Sequence, residues 1–378
     1  MNWLPFLRLR ATYGFNGNVY NGSAYLTGTY ISTAVGSTNA QGITINTAPN
    51  STLRWEKVKN VNIGIDFAVA NNRISGTVEA YLKDGTDLIQ RSPLAAQTGF
   101  ATFLNNAATN RTKGVDITLQ TKNSQGQFGW NTTLLFSGLT DKLLKYDVAQ
   151  TATSMQSVNG VVAIVGKSLY GLYSYKWAGL SSKGEPQIYD AEGNIRSWSQ
   201  TRITDINALK YVGTMDPPVY GGMMINVGYK GFTFSPQFTF KMGHVMRQST
   251  TKTDMTPGVT SDIANRWKNP GDELYTNIPR MFDRSSIDSK WNDYYRKSDV
   301  WDDDASFVRL RSMSLSYQMP KKFLFNVFTA ASLTAQANNV WLWTANKQGL
   351  DPDYVNLLTG SIGFPPVKNY VFSLNLNF

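Results

Sequence analysis

The feature that most constrains this chain of 378 residues is a two-residue alternation sustained along stretches of about 10–13 residues. In the last of them, VKNYVFSLNLNF (367–378), Phe378, Leu376, Leu374, Phe372 and Tyr370 fall on one side. Asn377, Asn375, Ser373 and Val371 fall on the other. The pattern recurs with Phe232, Phe234, Phe238, Phe240 and Met242 opposite Thr233, Ser235, Gln237, Thr239 and Lys241. It recurs again with Val61, Ile63, Ile65, Phe67 and Val69 opposite Asn60, Asn62, Gly64, Asp66 and Ala68, and along Ile74 to Lys83. Further strands are predicted near 4–15, 113–122, 127–138, 220–230, 305–319 and 328–340, about ten in all. Pro236 interrupts the apolar face of its strand, and a proline there signals an edge or a bulge.

The connections alternate too. Short links at 70–73, 122–127, 230–232 and 319–324 are rich in Asn, Gly and Pro. Long links span about 16–56, 84–112, 139–219, 243–304 and 341–367. One end of the sheet is therefore trimmed and the other elaborated, the plan of an up-and-down barrel in an outer membrane. A soluble β-sandwich also has one apolar and one polar face, but its strands are typically about 5–6 residues long. A tilted strand that crosses a membrane needs about 9–11 residues, which fits this pattern better. Strand 368–378 then descends to the short-turn side, with Leu374, Leu376 and Phe378 facing lipid and Ser373, Asn375 and Asn377 facing a wet lumen.

Composition narrows the chemistry. The chain has no cysteine, which removes disulfides and thiolate sites, and its one histidine, His244, reads as a loop or strand-end residue. The net charge of +10 invites nucleic acid as a partner. The most charged segment, 244–304, instead holds nine Lys/Arg and eleven Asp/Glu, and the surplus elsewhere is thinly spread. No nucleophile elbow, zinc-protease motif or phosphate loop is present, so the expectation is neither an enzyme nor a cofactor or metal protein. The opening MNWLPFLRLR has too short an apolar run for a signal peptide: either the protein stays inside the cell or Met1 is not the true start.

The stretches LRLRATYGFNGN (7–18), LRWEKVKNVNIGIDFAVANNRISGTVEAYLKDGTDLI (53–89), NRTKGVDITLQ (110–120) and YGGMMINVGYKGFTFSPQFTFKMG (220–243) follow one another in order. So do RWKNPGDE (266–273), FVRLRSMSLSYQMP (307–320), NNVWLW (338–343) and GLDPDY (349–354). Together they resemble the C-terminal part of the barrel of SusC/RagA-type TonB-linked outer-membrane proteins, the nutrient importers of Bacteroidetes. The resemblance implies an all-β, antiparallel up-and-down transmembrane β-barrel segment over 1–378, without the N-terminal plug and TonB box. It implies a multi-pass wall in the cell outer membrane, in contact with outer-membrane lipid. It also implies uptake of oligosaccharide (glycan) or peptide fragments, with a SusD-like surface lipoprotein as lid and the TonB complex acting through the N-terminal part. The alternative is a passive porin or surface adhesin without TonB coupling.

Loop aromatics Trp177, Trp198, Trp267, Trp291, Tyr294, Tyr295 and Trp301 are candidate stacking platforms for a ligand. Loop packing, a lid contact or an aromatic girdle would place the same residue types there. Thr233, Gln237, Ser314, Ser316, Gln336, Asn375 and Asn377 are expected to line the lumen. Asp299, Asp302, Asp303 and Asp304 lack the spacing of a calcium loop and read as a solvated turn. GLDPDY reads as structural, with Pro352 fixing a turn that a short Asp closes.

Overall fold

The computed structural model describes residues 3–21, 27–35, 40–100, 102–155, 164–250, 261–282, 289–324 and 327–377. Phe378 lies outside them. Ten strands form one antiparallel sheet: β1 (Phe6–Asn18), β2 (Glu56–Val69), β3 (Ile74–Pro93), β4 (Thr102–Ser124), β5 (Phe128–Tyr146), β6 (Val219–Tyr229), β7 (Phe232–Met242), β8 (Phe307–Gln318), β9 (Ala330–Thr344) and β10 (Asn369–Asn377). Each strand pairs only with its neighbours in sequence, as the link pattern predicts. Among the described residues no pairing joins β1 to β10, so each presents an outer edge.

Register turns the alternation into two continuous faces. Opposed residues in an antiparallel pair point to the same side. Leu9 therefore shares a face with Ile65, Val78, Ile117 and Phe136 across five strands. From Phe128 a row runs through Tyr229, Phe232, Tyr317 and Leu333 to Leu374. Among the described residues no buried hydrophobic cluster includes a residue of these rows, and Leu9, Phe232 and Phe372 are exposed. Phe232 to Phe240 is eight residue steps, about 27 Å along a strand, which a tilt of about 40° reduces to roughly 21 Å. That is close to the apolar band of a membrane barrel. The hydrophobic effect that would bury such a belt in a soluble protein is satisfied here by lipid, the inverse of an ordinary fold.

The tight links sit at one end. Ala70, Asn71 and Asn72 all take positive φ between β2 and β3, and Lys230 with Gly231 does the same between β6 and β7. Asn and Gly adopt this conformation at little cost. β7 is central, so Pro236 marks no edge. Its missing N–H coincides with a break in the β6 ladder, and a bulge follows against β8 after Gln237.

The loop end differs from expectation in one place. The segment 84–112 is strand over most of its length, because β3 runs to Pro93 and β4 begins at Thr102. The two continue as a hairpin past the apolar belt, shifted in register around Asp87, whose φ is +57°. Ladder hydrogen bonds extend a hairpin beyond lipid without any apolar face, which is why alternation stops before the strand does. The described residues of the links 147–218 and 243–306 build a separate folded layer with a helical turn α1 (Ala152–Met155), a helix α2 (Ser289–Arg296) and small two- and three-stranded sheets.

Candidate functional site

The polar face and the loop layer that meets its open end form the candidate site. On the face itself, the register aligns Thr233, Ser316, Thr334 and Ser373 in one row and Ser235, Ser314 and Gln336 in the next. Gln237 opposes Ser312, and Asn375 opposes Ser332, with Asn377 at the strand end beside Ala330. All seven residues expected to line a lumen thus lie on the side opposite the apolar belt. Hydroxyls and amides bond along the rows: Ser316 and Thr334 share a 2.8 Å hydrogen bond, and Ser312 donates to Gln237 Oε1 at 3.3 Å.

A charged network occupies the same face near β1. Asp66 accepts from Arg8 Nε at 2.8 Å, from Arg10 Nε at 2.9 Å and from Thr77 at 3.0 Å. Arg10 also pairs with Glu79 across β2. Gly64 lies between them, and a Cβ there would approach the Arg10 guanidinium to 3.2 Å and Glu79 to 3.3 Å. The glycine leaves room for a bridge that skips a strand. Charged residues in alternating strands were visible in the sequence, but the pairing of positions 10, 66 and 79 follows only from register.

Above the face, the loop layer has its own hydrophobic core of Met155, Tyr173, Tyr175, Ile188, Ile203, Leu209 and Tyr294, with Trp177 and Trp198 packed against it. This corrects part of the reading of the loop aromatics. Trp291, Tyr294 and Tyr295 are fully buried and present no open face to a ligand. Their spacing is that of one helix face, i, i+3 and i+4, and α2 inserts that face into the core. That signal was available in the sequence. Tyr294 meets Tyr175 edge to face at 5.1 Å, while Trp291, Phe282 and Trp198 form a three-ring cluster, Trp291 tilted against Phe282 at 4.7 Å and edge to face with Trp198 at 5.5 Å. Burial pushes the Tyr175 and Tyr295 hydroxyls well above the usual tyrosine range, and Tyr173 up to about 12. Trp177, Trp198, Trp267 and Trp301 remain partly exposed. Trp177 and Trp267 point their indole N–H groups at Asn277 and Glu273 at 3.0 and 2.9 Å.

Of the four aspartates at 299–304, only Asp304 is exposed as a solvated turn would have it; the other three are drawn into pairings with other parts of the chain. The side chain of Asp302 is buried beside Arg247 at 3.5 Å. Asp299 accepts from the Trp177 amide and Lys210, both at 3.0 Å. Asp303 accepts from Gln248 at 2.6 Å and the Lys347 amide at 2.8 Å, and Asp304 from the Ser306 amide at 2.7 Å. The partners of Asp299, Asp302 and Asp303 are distant in sequence, so sequence neighbours alone could not reveal the arrangement; only Asp304 closes a local turn.

Arg247 is the junction of three loops. Its guanidinium donates to the Tyr173 carbonyl at 2.9 Å, to Ser174 Oγ at 2.8 Å and to the Leu358 carbonyl at 3.2 Å, besides pairing with Asp302. A second buried arginine, Arg309 on β8, holds the last loop by pairing with Asp351 and Asp353, and Lys241 on β7 adds a 2.7 Å bond to Asp353. Asp351 also accepts from the Asp353 amide at 3.2 Å, closing the turn at Pro352. The structural reading of GLDPDY holds, with the wall as its anchor. His244, two residues beyond β7, is a strand-end residue as expected, but it is buried. Desolvation, aided by Lys241, pushes its pKa down to about 4 and keeps it neutral.

A ten-stranded meander with a lipid-type belt, a polar inner face and a folded loop layer defines a wall of the outer-membrane barrel class. The family described as TonB dependent receptor-like, beta-barrel matches residues 1–340, and the chain belongs to it. TonB-dependent receptor P39 of Formosa agariphila is 24% identical, over 100% of this chain and 41% of the relative. SusC of Bacteroides thetaiotaomicron is 21% identical, over 87% of this chain and 32% of the relative. The solved RagAB peptide transporter has a TM-score of 0.76 at 25% identity, covering 100% of this chain and 41% of that one. The chain therefore spans about two-fifths of the length of the first of these relatives. The resemblance to SusC/RagA-type proteins is borne out, and with it the outer-membrane location of the family. These relatives are receptors and transporters, not enzymes.

Proposed function

We propose that residues 1–378 form the C-terminal wall and external loops of a TonB-dependent importer that carries peptide or glycan fragments across the outer membrane. The observation that carries this reading is the pair of continuous faces: one apolar row after another on one side, hydroxyls, amides and ion pairs on the other. A wet inner face bounded by a lipid-facing outer one is the wall of a transport path. The edges of β1 and β10 need partners in lipid, so the wall acts as one sector of a larger closed barrel. Fastening of three loops by Arg247 supports a rigid outer rim on which a SusD-like lipoprotein closes. Transport work comes from the TonB complex through a plug elsewhere in the importer. Trp177, Trp198, Trp267 and Trp301 are the loop aromatics with surface left for a substrate, and the peptide carried by the RagAB relative gives peptides the first trial.

The test is uptake of a labelled oligopeptide mixture and of labelled glycan fragments by cells that express the importer with and without this segment, before and after collapse of the proton gradient. Energised, segment-dependent uptake supports the reading. Uptake that survives collapse of the gradient favours the passive porin, and a segment that fractionates with water-soluble protein rejects both.

A further inference from the structure

The apolar belt has a gap. At the loop end of β3, β4 and β5 the outward rows carry Ala80, Val115 and Gly138 on one side and Leu82, Lys113 and Thr140 on the other. These two rows wall a cavity of about 610 Å³ whose floor is the backbone of the row between them. Its position between two outward rows places the opening on the apolar side of the sheet. Small residues make the gap, since Phe136 and Leu134 fill the equivalent space further down β5.

One row further towards the loops the outward face becomes cationic. Lys59, Asp84, Arg111 and Lys142 oppose one another across β2 to β5. Arg111 neutralises Asp84 by a two-point bond at 2.6 and 2.9 Å, and Lys59 and Lys113 also lie within electrostatic reach of that carboxylate. Among the described residues Lys113 and Lys142 make no ion pair, and both are exposed. The patch holds four cations and one anion at the edge of an apolar groove. That order, apolar then cationic, is the order of an acyl chain and an anionic headgroup at a membrane boundary.

We propose that this groove is a binding site for a phosphate-bearing lipid of the surrounding leaflet, its acyl chain over Ala80 and Gly138 and its phosphate among Lys59, Lys113 and Lys142. The inference rests on the belt being the lipid face. A bound lipid here would complete the packing of β3 to β5 just below the hairpin that rises from them.

The experiment is native mass spectrometry of the full importer in non-ionic detergent, titrated with phosphatidic acid or, separately, phosphatidylcholine of matched chains. Preferential retention of phosphatidic acid is expected. Replacing two cations with K113Q/K142Q lowers that retention by roughly thirtyfold, Gly138→Leu lowers retention by filling the groove, and K321Q/K322Q at the short-turn end leaves retention unchanged. Equal retention of the two lipids, or equal loss in the K321Q/K322Q control, overturns the site. Retention of inorganic phosphate in place of phosphatidic acid also overturns it. Failure of both lipids to associate at all, with the protein soluble free of detergent, removes the lipid-face reading itself.

Discussion

Arg247 and Asp302 face each other at 3.5 Å with side chains only 4% and 3% exposed, in the short strand pair beyond the loop ends of β7 and β8. The pair closes the 243–306 loop on itself, and the remaining bonds of Arg247 to Tyr173, Ser174 and Leu358 tie in two further loops. Because a buried charge without its partner is costly, Arg247→Ala is expected to destabilise the loop layer by about 3–5 kcal/mol. Limited proteolysis checks this: cleavage within 164–250 and 341–367 accelerates, while the wall strands remain protected. A paired apolar replacement, Arg247→Met with Asp302→Leu, is expected to recover part of the loss, since it removes both charges.

Arg309 poses the same question at the wall. Asp351→Ala removes its main partner and the acceptor that closes the Pro352 turn. Asp353 remains at 3.4 Å, so the expected cost is smaller, on the order of 1–3 kcal/mol. Hydrogen exchange resolves it. Amides at 349–363 lose protection in the variant, whereas those of β8 do not.

His244 makes the loop junction sensitive to acid. Its folded pKa of about 4 lies below the ordinary histidine value of 6.5, so between those values the unfolded chain binds the proton more readily. Stability contributed by the neutral ring is complete above pH 6.5 and is lost as the pH falls towards 4. A thermal melt of the loop layer at pH 7 and pH 5 is expected to show a drop that His244→Phe reduces. An unchanged drop in the variant would assign the acid sensitivity to other groups.

Gly184 has φ +70°, and a Cβ there would sit 2.4 Å from the Trp267 ring. Both conformation and space exclude a side chain. Gly184→Ala is therefore expected to displace Trp267 and cost about 1–3 kcal/mol locally. A red shift in tryptophan emission, with the wall strands still protected from proteolysis, is the measurable result.

Legibility in the sequence follows the range of the interactions. The ten wall strands were readable because each one meets lipid on one side and polar surroundings on the other, so the pattern is imposed residue by residue. The hairpin at 84–112 was not, because outside lipid the ladder alone holds it. The seven residues proposed to line a lumen share the polar face of the sheet, a placement that parity along each strand gives directly. Trp291, Tyr294 and Tyr295 stood between ligand platform and loop packing although their spacing encodes a helix face, since nothing local says what that face packs against; burial decides for packing.

By itself the sequence determined the two-faced strands, their order, the short-turn and loop ends and the family resemblance, because those depend on period and on turn chemistry between near neighbours. Only tertiary structure decided that Arg10 reaches Glu79 across a glycine, that Arg247 meets Asp302, and that Arg309 anchors Asp351. Each joins residues on separate strands or loops. Their energy comes from burial and register, quantities that exist only once the strands have paired.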